Sequence, residues 1–353
     1  MYSKNIEEEF GLSIKKVQDK YKKPFKYKHK EPFNIGLIVG SSGVGKTTLL
    51  KEYNKNFKSK TYNNDIIINN FHSYEEGKKR LLGVGLNSIP TWLLNINQLS
   101  NGEYYRALMA LNLEDNAIFD EFTSVVDRPT AKSMALNVGK YIRKNNLKNI
   151  VIASPHRDII EYLEPDWVYD LNEEKIILKD NLRRRENIKI KFKNCGKELW
   201  GIFSKHHYLD EILNKSSNVF LAFWGDVLVG FYAVLAFPSG TVKNAFRGHR
   251  LVVLPEFQGM GIGNAISNSI AQYYKDNGKV FYIRTIHPAI GEYMEKSTLW
   301  SPTARNKTAI DIKDKENIFK NSDFGIIRYS HKYIGDIKIN YIESKYKLED
   351  DEW

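Results

Sequence analysis

Asn34-Ile-Gly-Leu-Ile-Val-Gly-Ser-Ser-Gly-Val-Gly-Lys-Thr47 decides how the first half of this chain is read. Its apolar start, Asn34–Val39, has the length and character of a short buried strand. Lys46–Phe57 follows with helical spacing. Between them, Gly40 to Thr47 fits the pattern G-x-x-x-x-G-K-[ST] in full, in the strand–loop–helix context that gives the pattern its meaning. Glycine lets such a loop curl until backbone N–H groups face a phosphate at a helix N-terminus. Gly40, Ser41, Gly43, Gly45, Lys46, Thr47 and Thr48 are therefore the expected nucleotide-phosphate set. Lys46 would reach the β and γ phosphates, and the Thr47 hydroxyl would hold Mg2+.

Working outward, Ile118-Phe-Asp-Glu121 ends a second buried strand, Asn116–Phe119. Asp120 suits Mg2+ coordination and Glu121 can polarise an attacking water. A third strand, Asn149–Ala153, follows a helix over Pro129–Asn145. Strands alternating with helices predict an α/β unit with a mainly parallel sheet.

The whole chain has 353 residues, enough for about two domains. Lys and Arg number 53 against 42 Asp and Glu, a formal net charge of +11. That balance favours a polyanionic partner such as nucleic acid, with a Lys-rich protein that has no such partner as the other reading of the charge. Eight lysines lie between Lys15 and Lys30, and a second basic run spans Lys175–Lys193. Cys195 is the single cysteine, which excludes an intrachain disulfide or a four-cysteine zinc site. The polar, acidic stretch Met1–Glu9 does not have the pattern of a signal peptide. No 18-residue apolar run is present, so no membrane association and a cytoplasmic location are expected.

After a linker at Asp180–Glu186 the pattern changes to α+β. Val219–Trp224 and Val227–Phe237 flank Gly225-Asp226 and read as a hairpin. Leu251–Leu254, a helix over Gly263–Lys275 and a strand over Lys279–Thr285 follow. A second glycine loop lies in Leu251-Val-Val-Leu-Pro-Glu-Phe-Gln-Gly-Met-Gly-Ile-Gly263. Again backbone amides at a helix start suit a pyrophosphate, here with no Lys-Thr pair to serve Mg2+.

Two family resemblances sharpen this reading. Over residues 34–172 the chain resembles ABC-type P-loop ATPases. Leu99-Ser-Asn-Gly-Glu103 is similar to their signature, Ser124-Val-Val-Asp127 to their D-loop, and His156 to their switch histidine. The resemblance implies an ATP- and Mg2+-dependent homodimer, with Ser100 and Gly102 of one copy reaching the γ-phosphate held by the other. The short span from Thr47 to Leu99, without a clear Q-loop glutamine, argues against a transporter.

In the second half, Gln258, Gly261 and Gly263 resemble the donor loop of GNAT acyltransferases. That resemblance implies an acyl donor, acetyl-CoA or another, held by Leu251, Val253, Gln258, Gly259, Gly261 and Gly263. His207-Tyr208 and His287 are the expected catalytic residues there, beside Glu121 in the first half. His206 is a neighbouring candidate, and Tyr293 and Ser297 are further ones. Asp120-Glu-Phe-Thr-Ser-Val-Val-Asp-Arg128, Glu164-Pro-Asp-Trp167 and His249–Gly263 together resemble phage and prokaryotic proteins that fuse an ABC-type ATPase to a Mom-like GNAT domain. That group's function implies ATP-dependent DNA base hypermodification at adenine N6, by acyl or carbamoylmethyl transfer, for antirestriction. Two other readings stay open: an RNA or protein N-acetyltransferase with an ATPase remodelling half, and a non-catalytic ATP-driven clamp. The expected organisation is a basic extension (1–33), a P-loop ABC-type ATPase domain (34–180), a GNAT-like acyltransferase domain (187–345) and an acidic tail (346–353).

Overall fold

The computed structural model describes residues 2–21, 29, 31–63, 65–207, 212–309, 327–339 and 342–346. The chain divides into two compact units, Met1–Arg185 and Glu186–Trp353.

The first unit opens with α1 (Tyr2–Phe10) and α2 (Ile14–Tyr21), where sequence suggested only a basic extension. It continues through β1 (Ile35–Val39), α3 (Lys46–Tyr53), α4 (Tyr74–Gly83), α5 (Asn101–Asn112) and β2 (Ile118–Phe119). Then come α6 (Arg128–Lys144), β3 (Ile150–Ser154), α7 (Ile160–Leu163), β4 (Trp167–Asp170) and β5 (Lys175–Leu178). Among the described residues the sheet order is β2-β3-β1-β4-β5. The first four strands run parallel, and β5 closes the edge antiparallel to β4.

All five residues of the central strand β1 are buried, which explains its unbroken apolar run. Gly36 is required because the Trp167 ring fills the space beside it: a Cβ there would stand 2.0 Å from the ring. Phe33 and Tyr53 pack on the same indole, each with its ring centroid 5.4 Å away. Asp166 accepts the N–H groups of Asn34 and Ile35 at 2.8 and 3.0 Å and so fixes the entry to β1. Burial pushes this carboxyl up, but those two amides and Lys179 outweigh it and hold its pKa below the ordinary value.

Two boundaries differ from expectation. The helix α3 stops at Tyr53 rather than Phe57, because Asn54 turns the chain. Its Nδ2 donates to Asn116 O at 2.9 Å and its Oδ1 accepts the Asn56 N–H at 3.2 Å. The strand β2 starts at Ile118 rather than Asn116, whose φ of +62° is left-handed.

The second unit contains β6 (Ile190–Cys195), α8 (Trp200–Ser204), β7 (Asn218–Trp224), β8 (Val227–Ala236), β9 (Ala245–Val253) and α9 (Ile262–Asp276). β10 (Val280–Thr285), α10 (Pro288–Lys296), β11 (Trp300–Pro302), β12 (Thr308–Ala309), β13 (Ile327–Tyr333) and β14 (Ile342–Tyr346) complete it. Its sheet order is β11-β13-β10-β9-β8-β7-β6-β14, with β12 beside β13. The pairs β6–β7, β7–β8 and β8–β9 are antiparallel, whereas β9 and β10 run parallel. Trp200 and Phe203 of α8 pack on Phe231, with centroids 5.0 and 5.2 Å away, on one face of the sheet. Tyr274 of α9 packs on Phe281 at 5.4 Å on the other.

Here too the boundaries correct the reading. α8 begins at Trp200, after a turn in which Lys197 O accepts the Trp200 N–H. β9 begins at Ala245, so His249 and Arg250 lie inside the strand rather than before it. Ala233 faces Arg250 while Val234 faces Gly248, so His249 is the extra residue of a bulge. Among the described residues no helix is long and apolar enough to cross a membrane.

Candidate functional site

Each unit presents one glycine loop at the start of a helix. In the first, Gly43 and Gly45 have φ of +78° and +106°, conformations in which a Cβ is strained. Gly45 is the N-cap of α3, so the first amides of that helix point out of the loop. A Cβ on Gly43 would meet nothing within 4 Å, so the loop's concave side is open. Lys46 is buried, and its Nζ donates to Gly40 O and Ser41 O, both at 2.9 Å. Ser41 is braced by Asn172, whose Oδ1 accepts its N–H at 3.0 Å and whose Nδ2 donates to its Oγ at 2.8 Å. Thr48 is exposed on the first turn of α3.

The Thr47 hydroxyl donates to Asp120 Oδ2 at 2.6 Å across 73 positions of sequence. A hydroxyl and a carboxylate converging beside a phosphate cradle form a hard-oxygen pair that fits Mg2+. A cavity of about 290 Å³ lies against this pair, lined also by Lys51, Phe57, Tyr105 and Met109. Tyr105 donates to Asp120 O at 2.7 Å. Burial, reinforced by Asp120 and Glu121, raises its pKa far above the ordinary value.

The loop after β2 is strained. Glu121 has φ +49° and Thr123 φ +70°, the latter unusual for a β-branched residue. Thr123 is fully buried, and its Oγ1 lies 3.1 Å from His156 Nδ1. Burial, then Arg128, holds the His156 pKa below its ordinary value, with Lys46 adding to the effect and Asp158 and Glu121 opposing it. Lys46 and Glu121 are therefore both within electrostatic reach of His156. Ser100 is the N-cap of α5 and forms a capping box with Glu103, while Gly102 lets Val126 approach. Asp127 caps α6 through the Thr130 N–H at 2.9 Å.

In the second unit, β9 and β10 pair over Val280↔Ala245, Phe281↔Phe246 and Tyr282↔Arg247 and then part. Parallel strands that diverge at their carboxyl ends open a cleft in the sheet. The loop from Pro255 leads out of it into α9, with Gly259 at φ +79° and the N-cap Gly261 at φ +89°. The helical ladder begins with the Ala265 N–H donating to Gly261 O, so the amides before it belong to the helix start. A Cβ on Gly261 would meet nothing within 4 Å, and one on Gly263 only Val253 and Leu251 at 3.6 and 3.8 Å. An open cradle of amides above Leu251 and Val253 fits a pyrophosphate. Gln258 acts on the loop itself: its Nε2 donates to Val253 O at 2.8 Å.

The expected catalytic residues of this unit lie in separate segments. His207 packs against Trp200, with centroids 6.0 Å apart. Its neighbour His206 lies within electrostatic reach of Glu256 of the donor loop. Burial and Lys205 lower the His206 pKa, and Glu256 opposes them. Tyr208 lies outside the described residues. His287 is the N-cap of α10, just past the parted end of β10, and its N–H donates to Thr285 Oγ1 at 2.9 Å. Tyr293 is engaged with Asn268 at 2.7 Å, and Ser297 accepts the Leu299 N–H at 3.3 Å. Among the described residues no cluster of three metal-ligating side chains occurs.

The acetyltransferase (GNAT) family profile matches residues 185–295. The second unit holds a GNAT acetyltransferase domain. No curated protein matches the chain significantly. Solved structures similar in part include an acetyltransferase from Bacillus subtilis in complex with CoA. It is 16% identical, covers 34% of this chain and 77% of its own, and has a TM-score of 0.25. The ribosomal-protein-S18-alanine N-acetyltransferase of Escherichia coli is 12% identical over 36% and 76%, at 0.25. A dimeric bacterial ABC transporter cassette is 16% identical over 38% and 79%, at 0.29.

Sequence reasoning missed Asn172, Tyr105 and the left-handed Thr123. Asn172 lies 131 positions from Ser41, and no local pattern signals that pairing.

Proposed function

We propose that this protein couples an ABC-type ATPase unit to GNAT-type transfer of an acyl or related group onto a DNA base, with adenine N6 as the acceptor amine. The observation that carries the transfer is the parting of β9 and β10 beside the open amide cradle at Gly261. A bound acyl-CoA-type donor supplies the activated carbonyl and the leaving thiolate. Leu251, Val253 and Gly259–Gly263 hold its pyrophosphate end, and Gln258 keeps the loop in shape. His206, whose pKa burial and Lys205 hold below the ordinary value against the opposing pull of Glu256, is suited to take the proton from the amine, and His287 stands at the end of β10. The acceptor is assigned from the net charge of +11 and from the resemblance to the Mom-like group.

In the first unit, Gly40–Thr48 cradle ATP phosphates, and Thr47 and Asp120 hold Mg2+. Glu121 orients the water and His156 faces the γ-phosphate side. Two copies close on ATP through Ser100 and Gly102 and so load DNA. Ser100 already serves its own helix cap through its side chain, which leaves the adjoining helix-start amides for a partner's phosphate.

Nucleoside mass spectrometry of DNA from cells expressing the protein, beside Lys46→Ala, tests this. The expected result is a new adenine adduct in the wild-type sample alone. An adduct in both samples removes ATP from the reaction. An adduct confined to RNA or protein, or none anywhere, refutes DNA as acceptor.

A further inference from the structure

The face of the second sheet opposite α9 carries an arginine cluster that the proposed transfer has not used. Arg247 stands opposite Tyr282 in the β9–β10 register, and Arg284 lies two residues further along β10. Residues at this period share one face of a sheet. Phe237, just past β8, joins them. The Arg284 guanidinium lies 4.6 Å from the Phe237 ring centroid and that of Arg247 5.3 Å, while the Tyr282 ring meets Phe237 edge-on at 6.0 Å. Both arginines are half-buried. Burial, with Arg250 and Arg328 nearby, holds the Arg247 pKa below its usual value. Burial, with Arg247, Arg305 and Arg328, does the same for Arg284.

Among the described residues neither Arg247 nor Arg284 has a carboxylate within ion-pair distance. Half-buried cations that repel one another with no acid between them are costly. Each guanidinium is fixed in orientation by the ring yet keeps its forked N–H donors for a planar anion. The place is also informative. Arg247–Tyr282 is the last β9–β10 pair, so the two arginines flank the mouth of the cleft. The amide cradle belongs to α9, on the other face.

We infer that this arginine face binds the sugar–phosphate backbone of the nucleic-acid acceptor, with Arg247 and Arg284 on phosphates and Phe237 as their shared anchor. It rests on the proposed reading that the acceptor is DNA, and it assigns where that strand lies. Arg247 on β9 and Arg284 on β10 present two guanidinium forks from separate strands, which suits successive phosphates of a strand better than the single phosphate of a small molecule.

The test is binding of a fluorescent duplex oligonucleotide to the full chain across a salt series, for wild type, Arg247→Gln/Arg284→Gln and Arg247→Lys/Arg284→Lys. The Gln pair should lose roughly tenfold or more in affinity near 0.1 M salt, with the log–log salt slope shallower by about 1.8, two contacts at about 0.9 each. The Lys pair keeps both charges and should keep the slope. Acetyl-CoA binding by calorimetry, unchanged in all three, shows that the fold is intact. Equal slopes for wild type and the Gln pair would overturn the assignment of this face while leaving DNA as acceptor. A wild-type chain that ignores DNA would overturn both. Adenosine monophosphate competing as well per phosphate as the duplex would replace the strand by a small phosphorylated acceptor and overturn the inference.

Discussion

Gly261 and Gly225 form a natural pair for testing the donor cradle. Both have left-handed φ, +89° and +62°, and a Cβ on either would meet nothing within 4 Å. Alanine at each position therefore brings backbone strain without a clash, about 1–2 kcal/mol. For a unit of this size each kcal/mol lowers Tm by about 2–4 °C, so both variants should melt roughly 2–8 °C below wild type. They part company when the donor is present. Gly225 turns the β7–β8 hairpin, whereas Gly261 caps α9 where the pyrophosphate is proposed to sit. Acetyl-CoA at about 100 times its Kd stabilises a binding-competent fold by about 2.7 kcal/mol, a rise of roughly 5–11 °C. Wild type and Gly225→Ala should show that rise in differential scanning fluorimetry, and Gly261→Ala should show little of it. Equal donor-induced shifts in the two variants would refute the cradle.

Three other outcomes follow from the geometry. Thr47→Val removes the 2.6 Å contact to Asp120 at an exposed position, so stability should move by no more than about 1.5 kcal/mol. ATP turnover should fall roughly 100-fold or more, and turnover at the wild-type rate in a phosphate-release assay would remove Thr47 from the metal site. Gly36→Ala drives a Cβ into the Trp167 ring and should destabilise the first unit by about 1–3 kcal/mol or more in urea melts. Adding Trp167→Phe should restore part of that loss, and an unchanged midpoint in Gly36→Ala would contradict the packing. His331 is fully buried, with Nε2 2.9 Å from Glu295, and burial holds its pKa below the ordinary value. A depressed folded-state pKa contributes stability that is present above about pH 6.5 and lost as pH falls. Urea midpoints of wild type should therefore drop between about pH 7 and 5 more steeply than those of His331→Gln, and parallel profiles would show that His331 carries no such linkage.

Much of the architecture was legible because its signals are local. The run Ile35–Val39 has the unbroken apolarity of a strand buried on both faces, and the turn at Gly225-Asp226 separates two apolar runs. Both glycine loops were found for the same reason: their residues are contiguous. What stayed hidden depends on distant partners. Asn54 shortens α3 through Asn116, and the bulge at His249 exists only in register with β8. His206 and His207 are adjacent, and only ring placement separates them, as in the packing of His207 on Trp200, for which neighbouring residues carry no sequence signal. Arg247 and Arg284 read as ordinary strand residues until β9 and β10 are laid side by side. The stacking on Phe237 then appears, joining three strands whose residues never adjoin in sequence.

On the proposed reading, the surroundings of the two loops distinguish their phosphorylated ligands. Both place a left-handed glycine at a helix N-cap, Gly45 at φ +106° and Gly261 at +89°, and both leave open space on the concave side. Amide cradles of that kind favour anions in general, with about half a unit charge at the helix end. Discrimination must come from what surrounds them. The first loop is followed by Lys46 and by the Thr47–Asp120 oxygen pair, which suit a terminal phosphate with its metal and give nothing to a thioester. The second is followed by Ile262 and Gly263 where the first has Lys46 and Thr47, and it opens on Leu251 and Val253 beside a cleft between strands. A triphosphate there would bring its charge against apolar side chains without the Lys and Thr that follow the first loop. A pyrophosphate that continues into an apolar arm would not. On the proposed reading, exchanging the ligands between the units is opposed by desolvation in one direction and by absent contacts in the other.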